Sequence, residues 1–160
     1  MIKIDELREF RPTYKYDNGS GITLDAVKEA LTAEAEKNGI PVAFYADQVK
    51  SGGMFNKKIE DCLVMYHPEH RNDYFLFCIR VQKEGSLAFV AVNDFGASKQ
   101  MDKFARAEYA KQDRRGKDMS YKIGSMIGSG IRNIGKSKQK LEAEQNYYDA
   151  VQYILDQVIS

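Results

Sequence analysis

The sequence predicts an α+β fold: an antiparallel β-meander of three to five strands, covered by an N-terminal helix and a C-terminal set of three helical segments. Three observations carry this reading. Short runs rich in β-branched and aromatic residues cluster between residues 42 and 93. The connectors between the last of these runs are short and polar, and short connections join antiparallel neighbours. From Ser98 onward the apolar residues recur at helical spacing.

Each element follows from local signals. Asp17-Asn18-Gly19-Ser20-Gly21 is a turn by composition. Thr23 then reads as an N-cap, with Asp25 in the first turn where the helix dipole favours an acid. Leu24, Val27, Ala30 and Leu31 repeat at helical spacing, and Asn38-Gly39 followed by Pro41 stops the chain, so a helix is expected over about 24–37. Val42 to Val49 is the first strand, ended by Ser51-Gly52-Gly53. Ile59 to Tyr66, Tyr74 to Gln82 and Leu87 to Asn93 are the next three. Leu63, Met65, Phe75, Phe77 and Ile79 form one apolar face, and Cys62, Val64, Leu76 and Cys78 the other. A sheet apolar on both faces needs cover on both, which the helices are expected to supply.

Three helical stripes follow. Met101, Phe104, Ala105 and Tyr109 form the first, ending near Arg115-Gly116. Ile123, Met126, Ile127, Ile131 and Ile134 form the second. Leu141, Tyr148, Val151, Leu155 and Val158 form a nearly heptad third, which also suggests a homo-oligomer through the C-terminal helix. A break at Gly135 is expected to separate the last two, with the final helix starting near Ser137.

At 160 residues the chain is expected to be one domain, with 1–97 its helix-plus-sheet part and 98–160 its helical part. A chain of this size buries roughly 70% of its unfolded surface, so its core needs neither disulfides nor metals. Forty-three per cent hydrophobic content, with 10 Tyr and 8 Phe, indicates a globular chain. The N-terminus carries Lys3, Asp5, Glu6, Arg8 and Glu9 with no apolar run behind them, unlike a secretory signal. The apolar runs, such as Phe75 to Ile79, fall short of the ~18 residues of a spanning helix. A cytoplasmic protein is the expectation. Cys62 and Cys78 are too few for a disulfide framework.

Several motifs are rejected on context. Gly130-Ile-Arg-Asn-Ile-Gly135-Lys136-Ser137 spells a P-loop, but Tyr121 to Gly130 upstream has helical rather than strand spacing. Ser120, Gly124 and Gly128, four apart, favour close helix packing over a membrane dimer face, since Lys122 and Arg132 interrupt the segment. Asp94-Phe95-Gly96 lacks the rest of a kinase signature. Leu87 to Val92 lacks the stacking aromatics of an RNA-recognition strand. Cys62 and Cys78 are equidistant from residue 70, so they are placed opposite each other across a hairpin. With His67 and His70 they make a zinc-like donor set, but five residues of strand, about 16 Å, keep the thiols from the turn. Buried free thiols are expected, with no metal and no cofactor. The turn His67-Pro-Glu69-His70-Arg71-Asn-Asp73 holds the densest acid/base set, which offers a general base but no adjacent nucleophile.

The strongest functional signal is charge. The net charge of +1 hides an asymmetry: residues 98–140 hold 12 basic and 4 acidic side chains, a charge of +8, against −3 before them and −4 after. Arg114, Arg115, Lys117, Lys122, Arg132, Lys136, Lys138 and Lys140 are the candidate anion-binding residues, with Tyr109 and Tyr121 as stacking candidates. The expectation is a non-enzymatic binding module that meets nucleic acid or an acidic protein surface. The alternatives are a protein-partner adaptor or inhibitor and, after it, an enzyme using the His67–Asp73 turn.

Overall fold

The structure is a computed structural model that describes residues 1–17, 21–104 and 131–159, with 131–135 described by backbone alone. Ile123, Met126 and Ile127 of the second helical stripe, the Ser120-Gly124-Gly128 spacing, Tyr109, Tyr121, Arg114, Arg115, Lys117 and Lys122 lie outside the described residues, as do the side chains of Ile131, Arg132 and Ile134.

The fold is α+β. Short β1 (Ile2–Lys3), β2 (Arg8–Glu9) and β3 (Tyr14–Asp17) precede α1 (Leu24–Asn38). Four long strands follow, β4 (Ala43–Ser51), β5 (Lys58–Tyr66), β6 (Leu76–Glu84) and β7 (Leu87–Phe95). Residues 99–104 are helical, and α2 (Ile131–Val158) ends the chain. The caps of α1 act as its sequence predicts. The Thr23 hydroxyl accepts the Ala26 N–H at 3.1 Å, and Gly39, left-handed at φ 66°, donates its N–H to Ala35 and Glu36.

The four long strands form the predicted antiparallel meander, but the sheet as a whole is mixed. Its order is β1-β4-β5-β6-β7-β2, with β3 also on β7. β1 lies parallel to β4, pairing Ile2 with Val49 and Lys3 with Lys50. Two-residue strands carry almost no periodic signal. β1 forms because Ile2 fills a core beside Val49, while the terminal ammonium meets Asp47 at 3.4 Å.

The two apolar faces divide as the alternation predicts, but their covers differ. Leu63, Met65, Phe77, Ile79, Val90 and Val92 pack under Val27, Leu31 and Ala35 of α1 and Tyr147, Val151, Ile154 and Leu155 of α2. Both described long helices therefore lie on one face. On the other, Val49, Cys62, Val64, Cys78 and Phe95 are covered by Ile2 and Leu7 of the N-terminal segment. Leu141, Val151 and Leu155 of the heptad-like stripe are buried within this one chain.

Two more expectations change. α2 begins at Ile131 and runs through Gly135 without the predicted break, so residues 131–137 are helix rather than a phosphate-wrapping loop. The β5–β6 register pairs Leu63 with Ile79 and Val64 with Cys78. Cys62 and Cys78 are thus diagonal neighbours, not opposite. Both are free and buried, and the Cys78 thiol bonds to Cys62, which is driven below its ordinary value chiefly by that bond. Beyond Ile79 the two strands share no further paired residues; Glu60 bridges the opening to Gln82 at 2.8 Å and Arg80 at 3.3 Å.

Candidate functional site

The site is built on the turn that joins β5 to β6. His70 donates its N–H to His67 O at 3.0 Å, and Tyr74 donates to His70 O at 3.0 Å. The His67 ring lies 4.6 Å from those of His70 and Tyr147. Its Nδ1 accepts the Glu69 N–H at 3.1 Å, so the neutral ring carries its proton on Nε2. Burial, then the charge of His70, hold His67 below its ordinary value. His70 stacks flat on Tyr74, with centroids 4.0 Å apart. The Tyr147 hydroxyl donates to Pro41 O at 2.7 Å, which ties α2 to the strand entry beyond α1. His67 and Tyr74 are therefore packed against α2, while Pro68, Glu69, Arg71 and Asn72 of the same turn stay exposed.

The same turn fixes the start of the next helical stretch. Asp73 O accepts the Lys99 N–H at 3.0 Å, and its carboxylate accepts Gln100 Nε2 at 3.0 Å. The other contact of that carboxylate is His70 Nδ1 at 3.2 Å. Burial works to raise the Asp73 carboxyl, but the bonds from Gln100 and His70 outweigh it and hold the group below its ordinary range. Ser98 caps residues 99–104 by accepting the Met101 N–H at 3.1 Å, and its hydroxyl donates to Glu144 of α2. Glu144 is only 4% exposed, and its Oε1 has no hydrogen-bond partner among the described residues. Burial raises its carboxyl despite bonds from Ser98 and the Phe75 backbone.

These contacts bring three lysines to one small pocket. Asn72, Asp73, Lys99, Gln100, Lys103, Ser137 and Lys140 line a space of about 260 Å³. Lys99 and Lys103 stand one turn apart on one helical face, and Ser137 and Lys140 do the same on α2. Among the described lining residues the one carboxylate, Asp73, is already engaged by Gln100 and His70. Three ammonium groups with amide and hydroxyl donors beside them suit a tetrahedral, multiply charged oxyanion.

Of the sequence-predicted anion-binding residues, Lys140 lines this pocket. Lys136 stands one turn before it, while Lys138 is drawn away to Glu142 at 3.4 Å. Lys99 and Lys103, the first two basic residues of the stretch, join Lys140 there. Their i, i+4 spacing marks a shared face, but nothing local says that Lys140 will join it. Ser98, Gln100 and Glu144, which position the lysines, carry no sequence signal of their own. Asp94 of the Asp-Phe-Gly triplet is a structural carboxylate, met by Arg8 Nε at 2.8 Å and by the Tyr148 hydroxyl. Among the described residues no group of three or more His, Cys, Asp or Glu side chains is placed to hold a metal, and no helix is long and apolar enough to cross a membrane. The chain matches no protein-family model, no curated protein and no solved structure, so its chemistry has to be read from these residues.

Proposed function

We propose that this protein is a non-enzymatic binding module that takes an anionic partner, nucleic acid first, at the Lys99–Lys103–Lys140 pocket. The observation that carries the reading is convergence. Lysines from two separate stretches of the chain line one space large enough for a phosphate, held there by Ser98, Asp73 and Glu144. Lysine is a point charge on a flexible stem, which favours backbone phosphates over base edges, so affinity without sequence preference is expected. Arg114, Arg115, Lys117, Lys122, Arg132, Lys136 and Lys138 extend the same proposal along the basic stretch. The histidine turn serves here as a platform. The Ser98 hydroxyl is engaged between Glu144 and the Met101 N–H.

The test is fluorescence anisotropy with labelled single-stranded RNA, single-stranded DNA and duplex DNA across a salt series. Binding is expected to weaken linearly in log salt. Replacing Lys99, Lys103 and Lys140 together by Gln should reduce the slope by about 2–3, the share of three phosphate contacts. No binding at low salt, or a slope unchanged in the triple variant, overturns the reading. Capture of an acidic protein in place of nucleic acid would favour the adaptor alternative.

A further inference from the structure

The β4–β5 turn, at the other end of β5, leaves an apolar pair in water. Met54 is 92% exposed and Phe55 94%. Their exposure is set by a tightly closed turn. Gly52 sits at φ +82°, and a Cβ there would meet the Asn56 carbonyl oxygen at 1.9 Å. The chain doubles back at that contact and offers Met54 and Phe55 as its apex. Ile59 (43% exposed) and Ile4 (39%) stand at the same end of the sheet, because Lys50 pairs with Ile59 on one side and with Lys3 on the other. Lys50 precedes the apex in sequence, Lys57 and Lys58 follow it, and Lys3 pairs with Lys50. Residues 48–58 contain no acid. The acids around this stretch in sequence and pairing are Glu60, which meets Lys58 at 3.2 Å, Asp61, which accepts from Gln48 at 3.1 Å, Asp47, which meets the terminal ammonium at 3.4 Å, Asp5, and Glu6, whose carboxylate accepts the Lys3 N–H at 3.2 Å.

We infer that this tip is a membrane-contact site: Met54 and Phe55 enter the headgroup region of an anionic bilayer, and the flanking lysines stay at the level of the lipid phosphates. A convex apex with no groove of its own enters a yielding surface such as a bilayer. Apolar side chains flanked by lysines match hydrocarbon beneath an anionic headgroup layer, with the lysine stems able to snorkel. Near such a surface each lysine contributes about fivefold in partitioning. The contact is therefore reversible and depends on lipid charge. It rests on residues separate from the lysine pocket and stands or falls apart from it.

The chain contains no tryptophan, so Phe55→Trp places a single reporter at the apex. Vesicles of phosphatidylcholine doped with phosphatidylserine are expected to shift its emission to the blue, and bromine on the acyl chains to quench it. Pure phosphatidylcholine should give a much weaker response. In co-sedimentation of the full chain, Met54→Ser with Phe55→Ser should cut binding at least about tenfold, since the lost apolar burial is worth more than one decade. Replacing Lys99, Lys103 and Lys140 by Gln should leave the emission shift intact. An emission spectrum unmoved by either vesicle overturns the inference and leaves an acidic-rimmed protein pocket as the rival occupant. A blue shift that grows with protein concentration without lipid overturns it in favour of a second copy of this chain. Vesicle binding that survives the serine variant but is lost in the lysine variant overturns it too, and moves lipid contact to the lysine pocket.

Discussion

One strand, β5, runs between two turns of opposite character. At its C-terminal end, His67 and Tyr74 pack their rings against Tyr147 of α2, and Asp73 is tied to Lys99 and Gln100 of a distant stretch. At its N-terminal end, Gly52 to Lys57 close on themselves and expose Met54 and Phe55. The first turn draws its order from long-range contacts, the second from its own backbone. Fold stability should therefore concentrate at the histidine turn. Tyr147→Ala removes a buried ring from His67 and Tyr74 and strips Pro41 O of its donor. It should cost about 3–5 kcal/mol in urea unfolding, as large-to-small core changes do. A loss below about 1 kcal/mol would mean that α2 does not hold this turn.

The tip has its own weak point. Gly52→Ala forces a side chain into a positive-φ position and against the Asn56 carbonyl. A local strain of about 1–3 kcal/mol is expected, relieved by reopening the turn. Urea unfolding should register the smaller part of that if the tip opens alone. Emission of the Phe55→Trp reporter, read in the same variant with anionic vesicles, should register the rest as a weakened shift. Gly53→Ala is the control, since its Cβ would meet nothing within 4 Å.

The histidine turn also sets a pH dependence that the tip cannot have. Glu144 is raised by burial, so the stability linked to its protonation is full below 4.5, the ordinary glutamate value, and is lost as pH rises through its folded value. His67 is lowered, so its contribution is full above 6.5 and is lost as pH falls through its folded value. Asp73 is lowered and acts in the same direction as His67, at lower pH. The Glu and His effects oppose each other between those values and flatten the profile. Glu144→Gln keeps an acceptor for Ser98 and removes the charge. It should be more stable than the parent at neutral pH, with the difference vanishing below 4.5, and its remaining profile should fall on acidification. Thermal midpoints at a series of pH values check this. A variant less stable than the parent at neutral pH would show that the carboxylate is stabilised in place.

What was legible in the sequence follows the same division between local and distant causes. α1 is legible because Thr23, Gly39 and Pro41 act within a few residues of its ends. The four long strands are legible because alternation and short turns are local. β1, β2 and β3 are not, since each exists only by pairing with β4 or β7. The cysteine register is not legible, because counting from residue 70 assumes a symmetric connector. Residues 67–75 instead fold around the His70–Tyr74 stack, and the pairing moves so that Cys62 falls diagonal to Cys78. The basic stretch was visible as composition, but Lys99 and Lys103 meet Lys140 only through Ser98 and Glu144, which is a tertiary fact. The Gly52-Gly53 break was visible too. That it would strand Met54 and Phe55 in water was not, because alternation ends where the strand does.

The smallest expected effect divides the two turns most cleanly. Met54→Ser with Phe55→Ser removes two large apolar side chains, a change that inside the core would cost several kcal/mol. At 92% and 94% exposure these side chains give the fold almost nothing to lose. Urea unfolding should agree with the parent within about 0.5 kcal/mol, the range of surface substitutions. A drop well beyond that would mean that the pair packs against the chain in solution and that the apex is not bare. Agreement would mean that two costly apolar side chains are kept in water for a reason outside the fold, which is the condition any partner for this tip requires.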